Sequence, residues 1–250
     1  MINFSALRPE TLAGRIVRYP FRLVPKDLTV PILQGPLRGR RWIVGSHLHG
    51  CWLGSYECEV QKLLVKEVRP GPGHVFYDIG ANVGFYTLLA ATLIVSGKVY
   101  AFEPLPANLT YIRKHLELNR IGNVEVFGMA ICDRVGVASF EAEETRAMGR
   151  LAGEGSLPVQ TSTLDSLLQE QKILPPDCIK MDIEGTEFGA LLGARECFAQ
   201  YKPKLVLATH GKDVREACCR LLSDWHYEFT YAAQQSEERA ELFAWPRPIH

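Results

Sequence analysis

The segment Asp78-Ile79-Gly80-Ala81-Asn82-Val83-Gly84 constrains this chain more than any other. It follows the apolar run His74–Ile79 and leads into the apolar run Val83–Val95. A strand that turns through two glycines into a helix reads as the start of a βαβ unit. Gly80 and Gly84 let the backbone turn tightly and approach a ligand closely, and the helix beyond offers unpaired N–H groups. Asp78 falls at the carboxyl end of the strand, where open α/β sheets collect their ligands.

The pattern then repeats. Lys98–Phe102, Val124–Phe127, Cys178–Ile183 and Lys204–Thr209 read as strands. Leu105–Asn119, Thr163–Glu170, Glu187–Phe198 and Asp213–Asp224 read as helices, with Thr163 as an N-cap. Val137–Glu141 reads as an extra strand before a polar loop through Gly155, and Tyr227–Tyr231 and Glu241–Trp245 as closing strands. Alternating strands and helices predict an α/β fold: a mostly parallel sheet with helices on both faces and a C-terminal antiparallel hairpin. Residues 1–56 form an N-terminal extension, expected as a leading helix and a hairpin turning near Gly35-Pro36 and Arg38-Gly39, and residues 57–250 form the main domain. A helix is expected from Glu57 to Val68, ended by Pro70-Gly71-Pro72-Gly73.

The chain is neutral overall, which argues against a nucleic-acid partner. Its first 50 residues nevertheless carry eight Lys or Arg against Glu10 and Asp27. That is either a solvated basic surface or a lip for an anionic substrate. Seven irregularly spaced cysteines fit reduced thiols and a cytoplasmic protein, and not a zinc site. The N-terminus lacks the apolar core of a signal peptide, and the Phe85–Val95 run is too short to span a bilayer.

Three further blocks carry chemistry. Glu103, in Phe102-Glu103-Pro104, lies where an acidic residue would bind ribose hydroxyls, and Pro104 would start the next helix. The loop reads G-x-N-x-G in place of the G-x-G-x-x-G that holds a pyrophosphate. That suits a donor without one, such as S-adenosylmethionine, whose amino-acid part polar side chains and loop backbone can hold. Asp182 and Glu184 stand at the carboxyl end of a central strand, and His210 ends the next. The three converge in the expected topology. Glu187 reads as a first-turn helix acid, favoured there on electrostatic grounds alone.

Together, D-I-G-A-N-V-G-F-Y-T (Asp78–Thr87), F-E-P (Phe102–Pro104), T-L-D (Thr163–Asp165) and I-K-M-D-I-E-G-T-E (Ile179–Glu187) resemble the FkbM family of methyltransferases. The resemblance covers about residues 74–211. It implies a class I, Rossmann-like methyltransferase sheet, S-adenosylmethionine as cofactor, and O-methylation of a sugar or secondary metabolite. It implies cofactor contacts at Glu57, Asp78, Gly80, Asn82, Gly84, Tyr86, Thr87, Glu103, Pro104, Asn108, Ala130 and Asp182. The family often reads I-E-x-H before the histidine, whereas this chain has Ala208 in place of the acid.

The mechanism expected from these residues holds a hydroxyl in line with the sulfonium methyl, with His210 as general base and Asp182 or Glu184 orienting it or the substrate. A divalent metal on Asp182, Glu184 and His210 is the alternative. Substrate contacts are expected from residues 1–56 and from Glu141–Pro158. The partner is a small-molecule or glycan hydroxyl, with no membrane span, while the oligomeric state is not readable. Transfer to nitrogen, a carboxylate or an RNA 2′-hydroxyl, an NAD-dependent oxidoreductase and a non-catalytic cofactor-binding module are the competing readings.

Overall fold

The computed structural model describes residues 23–68, 73–143, 148–152, 157–234, 236 and 238–248. The first 22 residues, where the extension's leading helix would begin, and Pro70, Gly71 and Pro72 of the expected Pro-Gly turn lie outside them. Among the described residues, no helix is long and apolar enough to cross a membrane.

The chain opens with an antiparallel hairpin, β1 (Thr29–Pro31) and β2 (Arg41–Ile43), then the short helix α1 (His49–Leu53) and α2 (Cys58–Glu67). The βαβ unit follows as β3 (Val75–Ile79), α3 (Phe85–Leu93) and β4 (Lys98–Phe102), continued by α4 (Pro106–Leu118) and β5 (Val124–Phe127). Pro106, and not Pro104, takes the first helical turn of α4, because Glu103–Leu105 is still extended loop.

Next come β6 (Ala130–Ile131), β7 (Gly136–Glu143), β8 (Met148–Ala152) and β9 (Leu157–Ser162), ordered β6-β9-β7-β8 in a separate four-stranded sheet. The polar loop expected after Glu141 therefore contains a strand. β7 and β8 pair antiparallel from Ser139↔Ala152 to Glu143↔Met148, with β9 on the other side of β7 and β8 at the sheet edge, a pairing that no apolar alternation announces.

The chain returns through α5 (Leu164–Gln169), β10 (Cys178–Met181), α6 (Glu187–Leu192), α7 (Arg195–Tyr201), β11 (Lys204–His210), α8 (Lys212–Asp224), β12 (Tyr227–Gln234) and β13 (Arg239–Pro246). The single helix expected over Glu187–Phe198 is two. A Cβ on Gly193 would lie 2.2 Å from the Cys132 carbonyl oxygen, so the chain turns there against that loop. Asp165 of the T-L-D block then caps α7, accepting the Glu196 and Cys197 N–H groups at 3.0 and 2.8 Å.

The main sheet runs β12-β13-β11-β10-β3-β4-β5. β13 inserts antiparallel between β11 and β12, and the inner strands are parallel. This is the class I, Rossmann-like methyltransferase architecture. Side chains alternate between two apolar layers, as a pleated strand demands. Phe76, Val99, Cys178 and Val206 point to one layer, which also takes Trp42, Val44 and Trp52 from the N-terminal region. Tyr77, Tyr100, Ile179 and Leu205 point to the other. The hairpin is tied to the sheet layer by His115 on α4. Its Nδ1 lies 2.8 Å from the Val83 carbonyl, its Nε2 accepts the Ile43 N–H at 3.2 Å, and Trp42 stacks on its ring at 3.8 Å.

Candidate active site

From β3 the chain builds outward to β4 and β5, then returns to β10 on the other side, so the strand order reverses between β3 and β10. Ligand crevices form at such a point, beyond the carboxyl ends of the strands. Here a cavity of about 860 Å³ opens, lined by the Gly80–Val83 turn, the Phe102–Leu105 loop, Asn108, Ala130, Asp182 and Glu184. That is within the ~300–1,000 Å³ of ligand sites, toward the upper end. Its outer wall comes from the N-terminal region, including Lys26, His47, His49 and Tyr56.

Gly80 makes the approach of β3 and β10 feasible. Its φ is +79°, and a Cβ there would stand 1.9 Å from the Asp182 carbonyl oxygen. Beyond it, Asn82 adopts φ +50°, a conformation that asparagine tolerates, and donates its N–H to Glu103 Oε2 at 2.8 Å. Glu103 Oε1 accepts from the Leu105 N–H at 2.9 Å and from Asn108 Nδ2 at 3.2 Å. Burial pushes the Glu103 carboxyl up to about 7, against the pull of these donors.

The expected cofactor residues divide into two groups. Glu57, Gly80, Asn82, Tyr86, Glu103, Pro104, Asn108, Ala130 and Asp182 line the cavity. Asp78, Gly84 and Thr87 are not among the lining residues. Thr87 donates its hydroxyl to Asp78 Oδ2 at 2.6 Å, with both side chains fully buried, and Gly84 heads α3. These three brace the turn from behind.

Glu57, with φ +42°, receives the Tyr86 hydroxyl at 2.7 Å and Arg239 Nη2 at 3.3 Å. Lys180 is almost wholly buried, pairs across the ladder with Asp78, and holds its ammonium 4.6 Å over the Tyr86 ring. The same ammonium lies 3.4 Å from Asp182 Oδ2, and Arg239 Nη2 lies 4.0 Å from it. Burial alone would raise the Asp182 carboxyl, but Lys180 and Arg239 hold it below its ordinary value. Glu241, buried on β13 opposite Ala208, faces the same group, and burial pushes it up to about 7.

Asp182, Glu184 and His210 do come together. His210 Nε2 lies 3.7 Å from Asp182 Oδ1 and 3.3 Å from Glu184 Oε2. Glu184 reaches this place through a left-handed turn at φ +53°, a strained conformation of the sort that clusters at functional sites. Glu187 opens α6 as expected, yet it also holds His210 Nδ1 at 2.8 Å from a wholly buried carboxylate. Burial would lower the His210 pKa, but the Glu187 hydrogen bond and the charges of Asp182 and Glu184 raise it. Asp182 and Glu184 line the cavity, whereas His210 stands one layer behind them.

Sequence reasoning missed Lys180, Arg239, Glu241 and the second role of Glu187. Lys180 lies in the Ile179–Glu187 segment, in a strand buried on both faces, where a lysine is unusual. Arg239 and Glu241 carried no signal, because only the insertion of β13 beside β11 brings them here.

Residues 78–234 match the methyltransferase FkbM domain family. The chain belongs to the FkbM methyltransferase family. It is 26% identical over 170 residues to the hexuronic acid methyltransferase AglP of Haloferax volcanii, covering 67% of this chain and 68% of that protein. It is 25% identical over 176 residues to the 31-O-demethyl-FK506 methyltransferase FkbM of Streptomyces tacrolimicus, covering 57% of this chain and 67% of that one. A solved FkbM methyltransferase from Methylobacillus flagellatus shares the fold with a TM-score of 0.52 at 18% identity, over 93% of this chain and 60% of that one. The chain is thus an S-adenosylmethionine-dependent methyltransferase, and the donor-binding fold is the one the turn and the strand order describe.

Proposed function

We propose that the chain methylates a hydroxyl of a sugar or related polyhydroxylated metabolite, with the acceptor docked over Asp182 and Glu184. One observation carries this reading. A single cavity joins the Gly80–Val83 turn and Glu103, suited to the donor, with two carboxylates at the neighbouring strand end. The relatives named for a hexuronic acid and for 31-O-demethyl-FK506 support an oxygen acceptor.

In this reading Glu103 grips the donor ribose, and the 80–83 turn with Glu57 and Tyr86 flanks its amino-acid end. The acceptor oxygen attacks the methyl carbon, the carbon–sulfur pair stays on sulfur, and S-adenosylhomocysteine remains. The hydroxyl proton passes to Glu184, which faces the cavity and whose pKa burial raises, making it a better base. The described part of the N-terminal extension, residues 23–56, acts as a cap on the acceptor side, where Lys26, His47 and His49 suit an acidic sugar. We place the reaction in the cytoplasm, because five of the seven free thiols are buried and suit a reducing compartment.

Calorimetry with S-adenosylhomocysteine tests the donor half, and labelled-donor assays on neutral sugars, uronic acids, amines and RNA test the acceptor half. Expected are micromolar product affinity and labelling of a sugar or uronic acid, with Glu184→Gln reducing turnover by about 10²-fold or more at unchanged product affinity. Labelling confined to amines or RNA would overturn the acceptor assignment.

A further inference from the structure

Three polar atoms of the cluster, His210 Nε2, Glu184 Oε2 and Asp182 Oδ1, face one small space. Glu187 Oε1 accepts the Gly185 N–H at 3.0 Å and lies 2.8 Å from His210 Nδ1. An ionised carboxylate only accepts, so Nδ1 carries the hydrogen, and a neutral His210 turns the lone pair of Nε2 toward Glu184 Oε2 and Asp182 Oδ1. Among the described residues neither Nε2 nor Asp182 Oδ1 has a hydrogen-bond partner, and both atoms are sealed from solvent. Lys180 accounts only for the other Asp182 oxygen. Acceptors brought this close repel one another unless a positive centre lies between them.

We infer that this space is a divalent-cation site with Asp182, Glu184 and His210 as ligands and Glu187 fixing the imidazole; its use, though not its geometry, rests on the function proposed above. Bonds of roughly 2.1 Å at right angles put neighbouring donors about 3 Å apart. The three donor atoms lie within 4.8 Å of one another, so small side-chain rotations close the set. Two carboxylates and one imidazole suit Mg²⁺ or Mn²⁺. A carboxylate behind the ligating histidine is the usual outer support of such a site.

The consequence is a substrate class. Asp182 and Glu184 face the cavity, so the remaining coordination positions open toward the acceptor. Two adjacent acceptor oxygens, in a vicinal diol or an α-hydroxy acid, would fill them. A bound hydroxyl has a lowered pKa. Its proton leaves to the Glu184 oxygen not used as a ligand, its oxygen gains the methyl, and the broken C–S pair stays on sulfur.

The test needs no acceptor. The full chain, stripped with EDTA, is titrated with MnCl₂ by calorimetry and electron paramagnetic resonance, and with S-adenosylhomocysteine in parallel. We expect one Mn²⁺ per chain, displaced by excess Mg²⁺. His210→Ala and Glu184→Gln should weaken Mn²⁺ binding at least about tenfold, and Glu187→Gln, which keeps every ligand, by about 10–100-fold. Circular dichroism reports that each variant is folded. Absence of Mn²⁺ binding up to millimolar concentration, or binding indifferent to all three substitutions, overturns the site and leaves a proton on Nε2 as the positive centre. Failure to bind S-adenosylhomocysteine would instead strike the methyltransferase reading and leave the cation result standing.

Discussion

Glu187 Oε1 stands 2.8 Å from His210 Nδ1, so a residue placed by helix α6 sets the orientation of one placed by strand β11. The carboxylate is wholly buried, and among the described residues Nδ1 has no other partner to replace it. Glu187→Gln should lower turnover by about 10–100-fold while product affinity changes by less than about twofold, because the donor-binding residues are untouched. Steady-state assays with labelled donor, alongside calorimetry, check this. An equal loss of affinity would mean that Glu187 shapes the cavity as a whole.

Glu241 faces Ala208 across the β11–β13 ladder, on the same side of the sheet. The family's acid before the histidine is thus missing from β11, while a buried acid stands at the same level on β13. Ala208→Glu should put a second carboxylate beside one already pushed up to about 7 by burial, and lower Tm by about 5 °C or more. The double variant Ala208→Glu/Glu241→Ala should recover most of that loss. Thermal unfolding of the two proteins decides whether the two positions exchange one charge.

Gly80→Ala combines a left-handed φ of +79° with a Cβ 1.9 Å from the Asp182 carbonyl oxygen. Both penalties fall on backbone, so neither is relieved by a rotamer change. Stability should drop by about 2 kcal/mol or more, with product binding lost as β3 and β10 are forced apart. Chemical denaturation and calorimetry measure the two effects.

His115 is buried with both ring nitrogens engaged, and burial depresses its pKa from 6.5 to about 4. The unfolded chain therefore binds the proton more readily between these values. The stabilisation from the neutral ring is complete above the unfolded pKa and is lost as pH falls toward the folded one. Across that window the loss approaches about 3 kcal/mol. Protonated Nε2 can no longer accept the Ile43 N–H, so the N-terminal hairpin should loosen first. The stability difference between wild type and His115→Gln should shrink from pH 7 to pH 4. A difference that stays flat would mean that the ring is charged or hydrated in the native state.

Much of the fold was legible because its signals are local. Burial on both faces makes β3, β4, β10 and β11 mostly apolar runs, Asp78 and Lys180 being the buried exceptions, and the Gly80 turn writes its backbone requirement into residue type. β4 and β5 fall on the residues read from the sequence, and Thr163 caps α5 by accepting the Ser166 N–H at 3.0 Å. The break at Gly193 was not legible, since its cause is the Cys132 carbonyl, 61 positions away in the chain. Nor was the β7–β8 pairing: Val137–Glu141 reads as a strand, but β8 lies in the stretch that reads as a polar loop.

For the site, the sequence by itself determined which residues end the parallel strands: Glu103, Asp182, Glu184 and His210. Strand order and period place them on one edge of the sheet, whatever the details of packing. Only the tertiary structure decided what those groups face. It set His210 behind the two carboxylates, put Glu187 on its far nitrogen, and brought Arg239 and Glu241 in on an inserted antiparallel strand. Those relationships depend on angles between elements distant in the chain, and electrostatic interactions at 3–4 Å change with every such angle. No local pattern encodes them.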